Sequence, residues 1–136
     1  MDSRPTENSA KQIAGYSVLS TLLSGGADER AIHIIETQTF TKCFSRLATD
    51  RDLFVVQAKI LSDPRVGNLI RGGHGLRKIR APFRNHGAQG GARIIYYFDE
   101  RYTVYLLLAY SKATKVDLTA FELKMLSQLV TQLKEE

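Results

Sequence analysis

Ala92-Arg93-Ile94-Ile95-Tyr96-Tyr97-Phe98, then Asp99-Glu100-Arg101, then Thr103-Val104-Tyr105-Leu106-Leu107-Leu108-Ala109-Tyr110 is the stretch that decides the fold. Both flanks are rich in β-branched, aromatic and aliphatic side chains, and the polar join between them has hairpin length. Working outward, Leu76 to Arg80 reads as a preceding strand ended by Pro82, with a loop from Phe83 to Gly91. His33-Ile34-Ile35-Glu36 reads as the first strand of the domain. Thr39 or Thr41 is the expected cap of a helix carrying Phe40, Phe44 and Leu47. Thr49-Asp50-Arg51-Asp52 supplies cap chemistry for a second helix, with Leu53, Val56, Ile60 and Leu61 on its apolar side and Asp63-Pro64 as its stop. Thr119-Ala120-Phe121-Glu122 is a capping box opening a last helix through Leu133, with Phe121, Leu126 and Leu129 as expected packing residues.

The order β-α-α-β-β-β-α predicts an α+β fold: a small antiparallel (mixed) sheet of about four strands packed against two N-terminal helices and one C-terminal helix. Residues 31–136 form that domain. Residues 1–30 read as an N-terminal extension, disordered or partly helical: Asp2 to Lys11 lacks a core pattern, Ser24-Gly25-Gly26 is a breaker, and Ile13, Val18, Leu19, Leu22 and Leu23 suit one short helix.

A chain of 136 residues with a hydrophobic fraction of 43% buries a core without disulfide staples. Its one cysteine, Cys43, has no internal partner, so a reducing cytoplasm fits best. The residue itself reads as a small core or boundary side chain. No apolar run reaches the length of a membrane span, so no membrane partner is expected. Asp2, Glu7 and the lack of a continuous apolar stretch argue against a signal peptide.

Charge is the informative feature. From Pro64 to Phe98 there is no Asp or Glu, while Arg65, Arg71, Arg77, Lys78, Arg80, Arg84 and Arg93 all fall there, interleaved with seven glycines. All 14 acidic residues lie outside it, so the net charge of +5 is a local surplus. Self-repulsion over a quarter of the chain points to a polyanionic partner, nucleic acid first. On a regular strand Leu76, Lys78 and Arg80 share one face while Arg77 and Ile79 take the other. Tyr97 shares a face with Arg93 and Tyr110 with Lys112, where both rings suit stacking on a base. No carboxylate and histidine cluster near the basic region suits a metal, so no cofactor is expected and any chemistry falls to Lys, Arg, His and Tyr.

Gly75-Leu76-Arg77-Lys78-Ile79-Arg80, Gly90-Gly91-Ala92-Arg93-Ile94-Ile95-Tyr96-Tyr97, Leu106-Leu107-Leu108-Ala109-Tyr110-Ser111-Lys112 and Asp117-Leu118-Thr119 stand in this order over about residues 32–130. With His33-Ile34-Ile35-Glu36-Thr37-Gln38-Thr39-Phe40-Thr41, they resemble the RelE superfamily of bacterial toxins, and its HigB-type branch most of all. The resemblance implies a cytoplasmic, metal-independent endoribonuclease that cuts mRNA on the ribosome, inhibits translation and is silenced by a cognate antitoxin. It implies catalytic roles for Lys78 as base, Arg80 and Arg93 on the scissile phosphate, and Lys112 near the leaving oxygen. Arg77, Arg84, His86, Tyr97 and Tyr110 complete the expected RNA-binding set.

The chain departs from the better-known pattern. Leu76 stands where the RelE branch has an earlier strand lysine, Ala113 where it has an arginine, and the tyrosine of the following segment is absent. His74, His86, Tyr96, Tyr97 and Tyr110 are the candidates to compensate. Plainer readings stand beside these: a phosphate-binding strip without cleavage, Arg93 as an ion-pair partner of Glu36 or Asp99, and a tyrosine serving only the core. A ParE-like gyrase poison is the alternative within the fold, disfavoured by the dense cationic cluster.

Overall fold

The computed structural model describes residues 16–24, 31–81 and 91–135. Along the chain run β1 (Tyr16–Ser24), β2 (Ala31–Thr37), α1 (Gln38–Leu47), α2 (Asp50–Ser62), β3 (Asn68–Leu69), β4 (Leu76–Ala81), β5 (Ala92–Asp99), β6 (Thr103–Ser111) and α3 (Ala120–Lys134). The strands make one sheet in the order β1-β2-β6-β5-β4-β3. Neighbours are antiparallel except β2 and β6, which run parallel. The α+β class and the three helices match the expectation; the sheet has six strands rather than about four. Both additions lie at its margins. Tyr16–Ser24 is a strand, not the expected helix, because it pairs with the outer side of β2. Asn68–Leu69 is a two-residue strand on β4, too short to carry a pattern.

Helices cover both faces of the sheet. On one, Phe40 and Phe44 of α1 and Val56 and Ile60 of α2 pack against Ile34, Ile94, Tyr96, Val104 and Leu106. On the other, Leu129, Val130 and Leu133 of α3 pack against Leu76, Ile95, Tyr97 and Leu107. The cap of α1 is Thr37 rather than Thr39 or Thr41. The capping box at Thr119 is formed as expected, and the cap chemistry expected at Thr49 takes the form of a second capping box with Asp52. Leu129 is buried, but Phe121 is 69% exposed and contributes nothing to the core. It sits in the first turn of α3 on the side turned away from the sheet, while Leu118 and Leu123 to either side of it pack against the core. Among the described residues, no helix is long and apolar enough to cross a membrane.

One irregularity in β6 decides which side chains share a face with those of β5. Ile95 pairs with Leu108 but Tyr96 with Leu106, leaving Leu107 as an extra residue in β6. The buried Thr37 hydroxyl donates to the carbonyls of Leu106 and Leu107, at 3.1 and 3.2 Å, while accepting from Phe40 N at 3.0 Å. One side chain therefore caps α1 and satisfies the bulge.

At the hairpin end, the buried Asp99 carboxylate accepts from Arg101 N at 2.9 Å, Nε at 3.1 Å and a terminal guanidinium nitrogen at 2.7 Å. Arg101 also donates to Leu133 O at 3.3 Å, tying the hairpin to the end of α3. Burial alone raises the Asp99 pKa, but the hydrogen bonds and charge of Arg101 outweigh it and hold the carboxyl below its ordinary range. A depressed native pKa stabilises the fold above the unfolded carboxylate pKa, and this contribution is lost as pH falls through the native value. Asp99→Asn is therefore expected to cost about 2 kcal/mol at neutral pH. In urea unfolding, the gap from wild type should close as the pH falls to about 2.

Candidate functional site

β4 and β5 carry the site. Their register pairs Lys78 with Ile95 and Arg80 with Arg93, and β5 in turn pairs Arg93 with Tyr110 of β6. Directly paired residues share a sheet face, so Lys78, Arg80, Arg93 and Tyr110 project together from the α3 side. This is the face division expected for β4. The Leu107 bulge supplies the rest: a regular β6 would set Ala109 opposite Arg93, and the extra residue moves Tyr110 there instead.

Lys78, Arg80 and Arg93 line an open groove of about 380 Å³ together with Val66, Gly67, Asn68 and Ile79. Arg80 is exposed; Lys78 and Arg93 are half-buried. Like charges directly opposite on neighbouring strands repel. Among the described residues, none of these three cations has a carboxylate within salt-bridge distance. Asp99, one conceivable partner for Arg93, is held by Arg101 instead.

Among the described residues, Arg93 Nε and the Tyr110 hydroxyl are buried and find no hydrogen-bond partner. Buried polar atoms are ordinarily satisfied, since an orphan costs about 1–3 kcal/mol. Burial pushes the Tyr110 pKa up, aided by Asp117 and Glu122 and opposed by Arg93, so the phenol keeps its proton. Lys115 lies 5.6 Å from the centre of its ring and pairs with Glu122. The group is thus a protonated donor with no acceptor among the described residues.

The other cations of the acid-free run have structural partners or lie elsewhere. Arg65 pairs with Glu100 at 2.6 Å and lies 5.1 Å over the Phe98 ring. Arg77, expected in the RNA-binding set, takes the opposite face, where it donates to Arg65 O at 3.0 Å and Gly67 O at 2.7 Å. It is a clamp on a turn. Arg71 is exposed in the turn before β4. Arg84 and His86 lie outside the described residues. Lys112 is exposed just past β6, its backbone N donating to Gly91 O at 3.4 Å, near the Arg93 end of the sheet but not in the groove lining. Tyr97 shares the Arg93 face but is buried under α3, with its ring 6.3 Å from that of Tyr105. His74 is exposed in a left-handed conformation, φ 59°, beside α3 rather than the cationic groove. Among the described residues no group of three His, Cys, Asp or Glu side chains comes together to hold a metal ion.

The far wall of the groove, Val66, Gly67 and Asn68, was not legible as part of the site. Tyr96 builds it from the opposite face: its hydroxyl donates to Pro64 O at 2.8 Å and accepts from Gly67 N at 2.9 Å. Gly67 is required by close approach, because a Cβ there would fall 2.8 Å from Cε1 of Tyr96 and 2.9 Å from Lys78 O. The only signal in the sequence is a glycine shortly after Asp63-Pro64, and this marks a turn without saying what the turn faces.

No protein-family model matches the chain.

Two tyrosines on opposite faces give a sharp prediction. Tyr96→Phe removes both bonds of the clamp and should cost about 1–3 kcal/mol. Tyr110→Phe removes an orphaned hydroxyl and should be neutral or stabilising by up to about 1 kcal/mol. Thermal unfolding of the pair should therefore give shifts of opposite or clearly unequal size; equal losses would mean that Tyr110 has a partner.

Proposed function

We propose that the chain is a metal-independent endoribonuclease of the RelE superfamily, HigB-type, acting on mRNA as the toxin of a toxin–antitoxin pair. The observation that carries the reading is the groove itself: Lys78, Arg80 and Arg93 gathered on one face without a carboxylate partner among the described residues. An RNA phosphate supplies the missing counter-charge, and a planar guanidinium grips two of its oxygens at once. The resemblance of the sequence blocks to that superfamily gives the activity, the ribosome as site of action and the antitoxin as partner.

In this reading Lys78, in its uncharged form, takes the proton from the ribose 2′-OH, whose oxygen attacks phosphorus. Arg80 and Arg93 stabilise the added negative charge on the phosphoryl oxygens. The bond to the 5′-oxygen breaks as that oxygen receives a proton. Products are a 2′,3′-cyclic phosphate and a 5′-hydroxyl. Solvent in the open groove supplies that proton, because the Tyr110 phenol, though protonated and paired with Arg93, is buried and not among the groove-lining side chains. Lys112, exposed at the same end of the sheet, is kept as a cation for the strand leaving the site.

Inducible expression in a bacterium, with growth and mRNA 5′-ends followed together, tests the reading. Wild type should arrest growth and create new ends inside translated messages, whereas Arg93→Ala should do neither while remaining folded. Removing such a charge-stabilising donor costs about 10²–10³ in rate. Arrest without new ends would favour a gyrase poison. Lys78→Ala should lower the cleavage rate more than RNA affinity; equal losses would remove its role as base. Affinity for single-stranded RNA should fall with salt at a log–log slope near −3, as expected for about four phosphates.

A further inference from the structure

The groove has a second kind of wall. Opposite the cations stand Asn68, an exposed residue paired in register with Lys78, and Val66, which is 42% exposed. The Asn68 carboxamide makes no hydrogen bond among the described residues, and the other polar side chains of the groove, Lys78, Arg80 and Arg93, are donors only. A carboxamide offers an acceptor beside two donors, and Lys and Arg offer no acceptor. Phosphate oxygens have no use for an acceptor; a base edge does. Val66 adds an apolar surface beside it, suited to the flat face of a base. The wall carrying both is fixed from beneath by Tyr96, Arg77 and Gly67.

We propose that Asn68 is the specificity-determining residue of this groove, reading the edge of the nucleobase next to the phosphate held by Arg80 and Arg93. This rests on the RNA-binding reading above. Single-stranded RNA exposes its base edges for such contacts. Adenine, with adjacent N6 donor and N7 acceptor, matches a carboxamide bidentately. The division of labour is the usual one, in which phosphate contacts position and base contacts specify.

The test is binding of the full chain to the hexaribonucleotides of A, C and U at fixed salt, for wild type and Asn68→Ala. A thermal melt of each protein controls for folding, and the exposed position makes loss of fold an unexpected outcome. Wild type should prefer the adenine oligomer by about tenfold or more. Asn68→Ala should shrink the spread to about twofold, with the salt slope unchanged because no phosphate contact is lost. Equal binding of the three by wild type, or a spread retained in Asn68→Ala, would overturn the assignment and leave the phosphate groove standing. A wild type that binds none of the three at low salt would overturn the RNA-binding reading and this inference with it.

Discussion

The β-bulge at Leu107 is the constraint on which the geometry of the site depends. A side-chain period of two makes strand parity unforgiving, and one inserted residue exchanges the faces of everything beyond it. Before the bulge, Tyr105 sits opposite Tyr97; after it, Tyr110 sits opposite Arg93. Without it, Arg93 would face Ala109. The bulge frees carbonyls that would be costly in a sheet interior, and the Thr37 hydroxyl takes those of Leu106 and Leu107. Because the same hydroxyl caps α1, the entry of the first helix and the register of the last strand are set by one residue.

The acid-free run is a second case of division by parity. On β4, alternate side chains go to opposite faces, and neighbouring cations acquire different work. Arg77 is spent on the turn that forms the groove wall, while Lys78 and Arg80 remain in the groove. The wall and the cationic face are thereby coupled through the sheet. Tyr96 reinforces this, since its ring lies in the core under α1 and α2 and its hydroxyl ends at Pro64 and Gly67. A groove built this way keeps its width because the core does.

What could be read from the sequence followed the strength of local signals. The hairpin of β5 and β6, the spans of α2 and α3 and the caps at Thr49 and Thr119 were legible because periodicity and cap chemistry are short-range. The faces of β4 were legible for the same reason. Tyr16–Ser24 was not, since its apolar residues suit either period and only the free side of β2 decides. Nor was the bulge, which adds a residue without changing the composition of an apolar run. The fate of Arg77 needed three-dimensional knowledge of where the 64–67 turn folds back. Phe121 shows the opposite failure: a capping box correctly starts the helix, but the box does not say which side of the first turn meets the sheet.

The energetics separate the groove from the rest of the fold. Elsewhere among the described residues the exacting polar groups are satisfied: Thr37 at the bulge, Tyr96 at the turn, Asp99 with Arg101 at the hairpin. Around Arg93 three local rules fail together: paired like charges across strands, a buried orphan Nε and a buried orphan phenol. Each raises the free energy of the unliganded protein, by the orphan cost of about 1–3 kcal/mol for the polar atoms alone. Local inconsistencies that a fold tolerates are expected at functional sites. An anion in the groove removes the charge repulsion and provides an acceptor for a guanidinium. The same ligand would therefore bind more tightly than its own contacts suggest, because its arrival relieves a cost already present in the free protein.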